Sequence, residues 1–96
     1  MFVLVTYDVS TADSKGQARL RRVAKACLKF GQRIQNSVFE CWVGPNELTR
    51  LRKELLDIMN EEEDSIRIYF LDQAARKKTE HFGIKKPLDF GEPFVV

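Results

Sequence analysis

The chain has 96 residues, a formal net charge of +2 at neutral pH, 44% apolar residues and 31% charged residues. That describes one domain with a modest core, which a second copy of the chain would help to stabilise. No apolar run approaches the roughly 20 residues of a membrane span. The opening Met-Phe-Val-Leu-Val lacks the basic flank of a signal peptide, so a cytoplasmic protein is expected.

Residues 2–9 read as a central strand. Phe2, Leu4, Thr6 and Asp8 share one face, and Val3, Val5, Tyr7 and Val9 the other. Residues 15–30 read as an amphipathic helix, with Leu20, Val23, Ala24, Cys27 and Leu28 at helical spacing, Asp13 or Ser14 as its cap and Gly31 closing it in a left-handed conformation. Arg33 to Asn36 and Ser37 to Val43 then change period to that of two short strands. Gly44-Pro45 opens a second helix with the stripe Leu48, Leu51, Leu55, Ile58 and Met59, ended by Asn60 and the acidic run Glu61 to Asp64. Residues 65–71 are a fourth strand, with Ile66, Ile68 and Phe70 on one face.

Strand, helix, strand, strand, helix, strand is the order of an α+β ferredoxin-like βαββαβ sandwich. Helices cover one face of its sheet, so the other requires cover, and a two-fold homodimer is the simplest cover. The expected folded domain is 1–72. Residues 73–96 form a tail whose last residues, Phe94-Val95-Val96, read as a short fifth strand able to pack on the dimer or on a partner.

The small net charge hides a one-sided pattern. No acid lies between Asp13 and Glu40, where Lys15, Arg19, Arg21, Arg22, Lys25, Lys29 and Arg33 give a local charge of +7. A polyanion is the natural partner, with Arg19, Arg21, Arg22 and Lys25, and Arg76, Lys77 and Lys78 in the tail, as candidate nucleic-acid contacts. Cys27, Cys41 and the single His81 provide no zinc spacing, and the cysteines read as buried hydrophobes.

Asp8 ends the first strand before a polar loop, in a position to hold a divalent cation. Magnesium takes oxygen ligands, and one carboxylate per chain is few, so two copies of Asp8 across a two-fold axis would make the site. The competing reading has Asp8 accept main-chain N–H groups of the 9–14 loop. Tyr7 reads as core or phosphate contact, Arg33 as a phosphate ligand, Ser37 as a turn or phosphate hydrogen bond, and Phe39 as either core or a stacking surface for a base.

Several runs together carry a family resemblance: Tyr7-Asp8-Val9, Arg21-Arg22-Val23-Ala24-Lys25, Gly31-Gln32-Arg33-Ile34-Gln35-Asn36-Ser37-Val38-Phe39-Glu40 and Ser65-Ile66-Arg67-Ile68-Tyr69. In this order they resemble the small CRISPR-associated protein of the second Cas family (Cas-two), the companion of the spacer integrase. The resemblance implies a ferredoxin-like homodimer with magnesium or another divalent cation between two copies of Asp8. It also implies endonuclease activity on RNA or DNA, a role in spacer acquisition, and Tyr7, Arg33 and Phe39 as flanking functional positions. The alternative it leaves open is a non-catalytic DNA-binding scaffold that bridges integrase dimers.

Overall fold

A computed structural model describes residues 1–83. Seven elements follow in order: β1 (Phe2–Asp8), α1 (Ser14–Leu28), β2 (Gly31–Gln35), β3 (Val38–Trp42), α2 (Pro45–Ile58), β4 (Ser65–Leu71) and the short α3 (Gln73–Lys77). The strands form one sheet in the order β2-β3-β1-β4, every neighbouring pair antiparallel. This is the α+β ferredoxin-like arrangement expected. β1 and β2 lie on either side of β3, and α1 and α2 cross over the same face of the sheet.

The period-two alternation of β1 decides what faces the helices. Val3, Val5 and Tyr7 join Phe39, Cys41 and Val43 of the β3 segment under Val23, Ala24, Ala26 and Cys27 of α1 and Leu48, Leu51 and Leu55 of α2. Residues paired directly across strands share a face, so Phe2, Trp42 and Leu71 meet on the opposite side, as do Leu4, Glu40 and Tyr69, and Thr6, Val38 and Arg67. Phe2 and Trp42 stack with ring centroids 5.6 Å apart, and the Arg76 guanidinium of α3 lies 5.3 Å from the Trp42 ring. Beyond that one end, no described helix covers this face.

The helix ends follow the chemistry of their caps. Asp13 caps α1 by accepting from the Gly16 N–H at 2.8 Å. At α2 the Glu47 side chain reaches back to the Gly44 N–H at 2.9 Å, and Pro45 occupies the first turn. Two details differ from the sequence reading. Leu28 is 48% exposed, because the buried stripe of α1 runs through Gly16, Val23, Ala24, Ala26 and Cys27. Gly31 opens β2 without a positive φ. It is needed for close approach instead, since a methyl group there would stand 1.8 Å from the Glu40 carbonyl oxygen. The five-residue α3 was not foreseen, and the expected strand at 94–96 lies outside the described residues. Cys27 and Cys41 are buried free thiols, the Cys41 Sγ lying 3.6 Å from the Cys27 carbonyl oxygen.

Candidate functional site

β1 delivers Asp8 to its last position, paired with Ser65 at the start of β4 and on the face away from the helices. The side chain is exposed, and its carboxylate accepts no hydrogen bond among the described residues. The loop that follows spends its polar groups on itself: Asp13 caps α1, Ser10 Oγ accepts from the Ala12 N–H at 3.5 Å, and the Thr11 carbonyl accepts from Gln17 Nε2 at 3.0 Å. Of the two readings of Asp8, capping of its own loop is therefore absent here.

A cleft of about 420 Å³ opens beside Asp8, walled by Thr6, Val9 and Thr11 on one side and by the β2–β3 turn, Asn36, Ser37 and Val38, on the other. The turn is held against β1 by the Tyr7 N–H, which donates to the Ser37 carbonyl at 2.9 Å. Arg33 fixes it from the far side, giving Nε and Nη2 to the Asn36 carbonyl at 2.9 and 2.6 Å. Thr6, Thr11, Asn36 and Ser37 thus line one cleft with an unpaired carboxylate. Among the described residues no three Asp, Glu, His or Cys side chains come together as a metal cluster.

Four of the candidate residues have roles that the sequence reading did not separate. Phe39 is fully buried, paired between Val5 and Arg33, with the Arg33 guanidinium 5.5 Å from its ring centroid. It is core, and offers no surface to a base. Arg33 is exposed, and Nε and Nη2 both donate to the Asn36 carbonyl, so it shapes the turn. Tyr7 is 2% exposed, and its hydroxyl donates to Asp64. Arg19 binds the same carboxylate, through Nε at 2.7 Å and Nη2 at 3.1 Å, and also reaches Glu63 at 3.2 Å. Arg19 is consequently removed from the basic surface.

Asp64, buried and accepting a fourth hydrogen bond from the Asn60 N–H at 3.0 Å, was missed. Burial alone would raise its pKa. The hydrogen bonds from Arg19, Tyr7 and Asn60 outweigh that, and the carboxyl sits below its ordinary value. Burial, helped by the hydrogen bond to Asp64, pushes the Tyr7 hydroxyl up to about 12, so it remains protonated at neutral pH. The sequence held one clue: Arg19 lies three residues after Gly16 and four before Val23, both buried, and so falls on the flank of the inward stripe.

The basic run is thereby thinned. Lys29 pairs with Glu54 at 2.8 Å and Arg33 with the Asn36 carbonyl. Lys15, Arg21, Arg22 and Lys25 stand exposed with no partner among the described residues, and Lys77 and Lys78 are exposed at the end of α3. No described helix is long and apolar enough to cross a membrane.

The fold, a ferredoxin-like sheet with an unpaired strand-end carboxylate and a basic first helix, defines the class, and comparison with known proteins narrows it. The family model described as CRISPR associated protein Cas2 matches residues 1–79. The CRISPR-associated endonuclease Cas2 of Halalkalibacterium halodurans is 50% identical over 95 residues, 99% of each chain. The CRISPR-associated endoribonuclease Cas2 1 of Moorella thermoacetica is 45% identical over 96 residues, the whole of both. Among solved structures, Streptococcus pyogenes Cas2 aligns with a TM-score of 0.81 at 49% identity, covering 86% of this chain and all of that one. The chain belongs to the CRISPR-associated Cas2 family.

Proposed function

We propose that this protein is a metal-dependent endonuclease of CRISPR adaptation, active as a homodimer in which two copies of Asp8 share one divalent cation, magnesium being the natural choice. The observation that carries this reading is the Asp8 carboxylate: exposed, free of hydrogen bonds within the described chain, and at the end of a sheet face that carries Leu4, Val38 and Tyr69 with no described helix across it beyond the Trp42 end. Burying such a face against its own copy is favourable, at about 25 cal/mol per Å² of apolar surface. The names of the relatives, endonuclease and endoribonuclease, support the reaction class.

The donor set fits a hard cation, which prefers carboxylate, carbonyl and water oxygens. One protomer supplies too few, so the fit requires the second Asp8. A cation held there supplies Lewis acidity toward a phosphodiester and lowers the cost of ionising an attacking water. The chain's own residues set the stage. Asp8 binds and orients, the polar walls of Thr6, Thr11, Asn36 and Ser37 line the path of the backbone, and Arg21, Arg22 and Lys25 hold flanking phosphates. Nothing in this arrangement reads base edges, so RNA and DNA would be engaged by charge and shape.

A second reading is favoured by the four unpaired cations of α1, which can grip a duplex without chemistry. In it the protein is a DNA-binding scaffold that bridges CRISPR integrase subunits. The two are separated by an Asp8→Ala variant assayed on RNA and on duplex DNA with magnesium and with chelator. The endonuclease reading expects a folded dimer with all metal-dependent cleavage lost and nucleic-acid binding kept. Cleavage surviving in Asp8→Ala with an unchanged metal requirement overturns it. Cleavage absent from the wild type on every substrate leaves the scaffold.

A further inference from the structure

The carboxylate of Asp64 has a side chain with no solvent exposure, and it gathers donors from three elements. Tyr7 comes from the end of β1, Arg19 from the first half of α1, and the Asn60 N–H from the turn after α2. Asp64 itself immediately precedes Ser65, the residue paired with Asp8. The end of β1, helix α1 and the α2–β4 turn are therefore pinned at one point, one residue from Asp8 on β1 and one residue from its ladder partner Ser65 on β4.

That location is where pinning is needed. Asp8–Ser65 is the final pair of the β1–β4 ladder, and strand ends fray. Asp8 makes no contact that would fix its own direction. Tyr7 points to the opposite face, so immobilising its ring and hydroxyl fixes the plane of the strand from which Asp8 projects. Ligands that must meet across a two-fold axis tolerate displacements of only about 0.5 Å.

We propose that Asp64, held in place by Arg19, is a positioning residue for the shared metal site: through the Tyr7 hydroxyl it fixes the end of β1 and so the aim of Asp8 at its counterpart. This rests on the reading of Asp8 as a metal ligand. Arg19 is thereby a structural cation in the service of the site, and not part of the nucleic-acid surface. Outer groups that orient ligands typically change metal affinity by about 10- to 100-fold.

The test measures Mn²⁺ binding to the purified dimer by electron paramagnetic resonance, with no substrate present. Four variants are compared with wild type: Asp8→Ala, Tyr7→Phe, Arg19→Lys and Arg19→Ala. Tyr7→Phe keeps the buried ring and removes only the hydroxyl, so its fold, checked by circular dichroism, is preserved. The expected result is loss of the site in Asp8→Ala, at least about tenfold weaker Mn²⁺ binding in Tyr7→Phe and in Arg19→Ala, and partial recovery in Arg19→Lys. Purely structural support would lower thermal stability while leaving the affinity of the folded dimer alone. Asp8→Ala without the site, together with Tyr7→Phe and Arg19→Ala within twofold of wild type, overturns the positioning role. An intact site in Asp8→Ala overturns the metal reading beneath it instead.

Discussion

Replacing Asp64 with Ala should be among the most damaging single changes outside the central core. The variant leaves the buried Tyr7 hydroxyl without its acceptor, takes two hydrogen bonds from Arg19, at 2.7 and 3.1 Å, and strips the Asn60 N–H of its partner at 3.0 Å. Removing one member of a buried ion pair costs about 3–5 kcal/mol. Arg19 keeps Glu63 at 3.2 Å and some solvent access, which places the expected loss near the lower end, about 3 kcal/mol. Against the roughly 5–15 kcal/mol that holds a small domain together, that is a large fraction. The assay is urea unfolding followed by Trp42 fluorescence at one fixed protein concentration, since the proposed dimerisation would make stability depend on concentration. The pH dependence supplies an internal check. The pKa of Asp64 is depressed in the folded state, so its contribution is present above the ordinary value of 3.8 and lost as pH falls through the lower folded value. The gap between wild type and Asp64→Ala should therefore narrow in acid. A loss below about 1 kcal/mol at pH 7, the net worth of one ordinary hydrogen bond, or a gap that stays constant down to the acid limit, would refute the reasoning.

Other perturbations test separate parts of the structure. Phe39→Ala should destabilise by about 3–5 kcal/mol in urea, as for any fully buried aromatic, with no selective loss of binding in protein that remains folded. Gly16→Ala places a methyl group 1.7 Å from the Ser10 carbonyl oxygen and must push the loop after Asp8 outward; a cost of about 1–3 kcal/mol is expected by thermal melting. Removing Arg21, Arg22 and Lys25 together should flatten the dependence of DNA affinity on salt, lowering the log–log slope by about 2.7 if all three touch phosphates. An unchanged slope in a fluorescence-anisotropy titration would move the binding face elsewhere.

The fold was legible because its signals are local. Alternation in residues 2–8 and 65–71, the Gly44-Pro45 start and the helical stripe of Leu48, Leu51 and Leu55 each lie within one element, and the element order left one familiar topology. Asp8 was legible for the same reason, as a carboxylate at the end of an apolar run. The partners of Arg19 were not, because Asp64 is 45 residues away in an acidic run that reads as a solvated turn. One member of that run is buried, which only the approach of α1, β1 and the α2–β4 turn reveals. Arg33 and Phe39 were hidden by adjacency of another kind: a charge and an aromatic on neighbouring strands look like a phosphate-and-base pair, yet here the guanidinium lies over the buried ring and bonds the Asn36 carbonyl.

The central claim is that two strand-end carboxylates share one ion. Mn²⁺ stoichiometry of the purified dimer, titrated in wild type and in a mixed dimer carrying Asp8→Ala in one copy, tests it most directly. The account predicts one tight ion per two chains, and its loss when a single Asp8 is removed. Two independent ions per dimer, or a site that survives in the mixed dimer at full affinity, would contradict it.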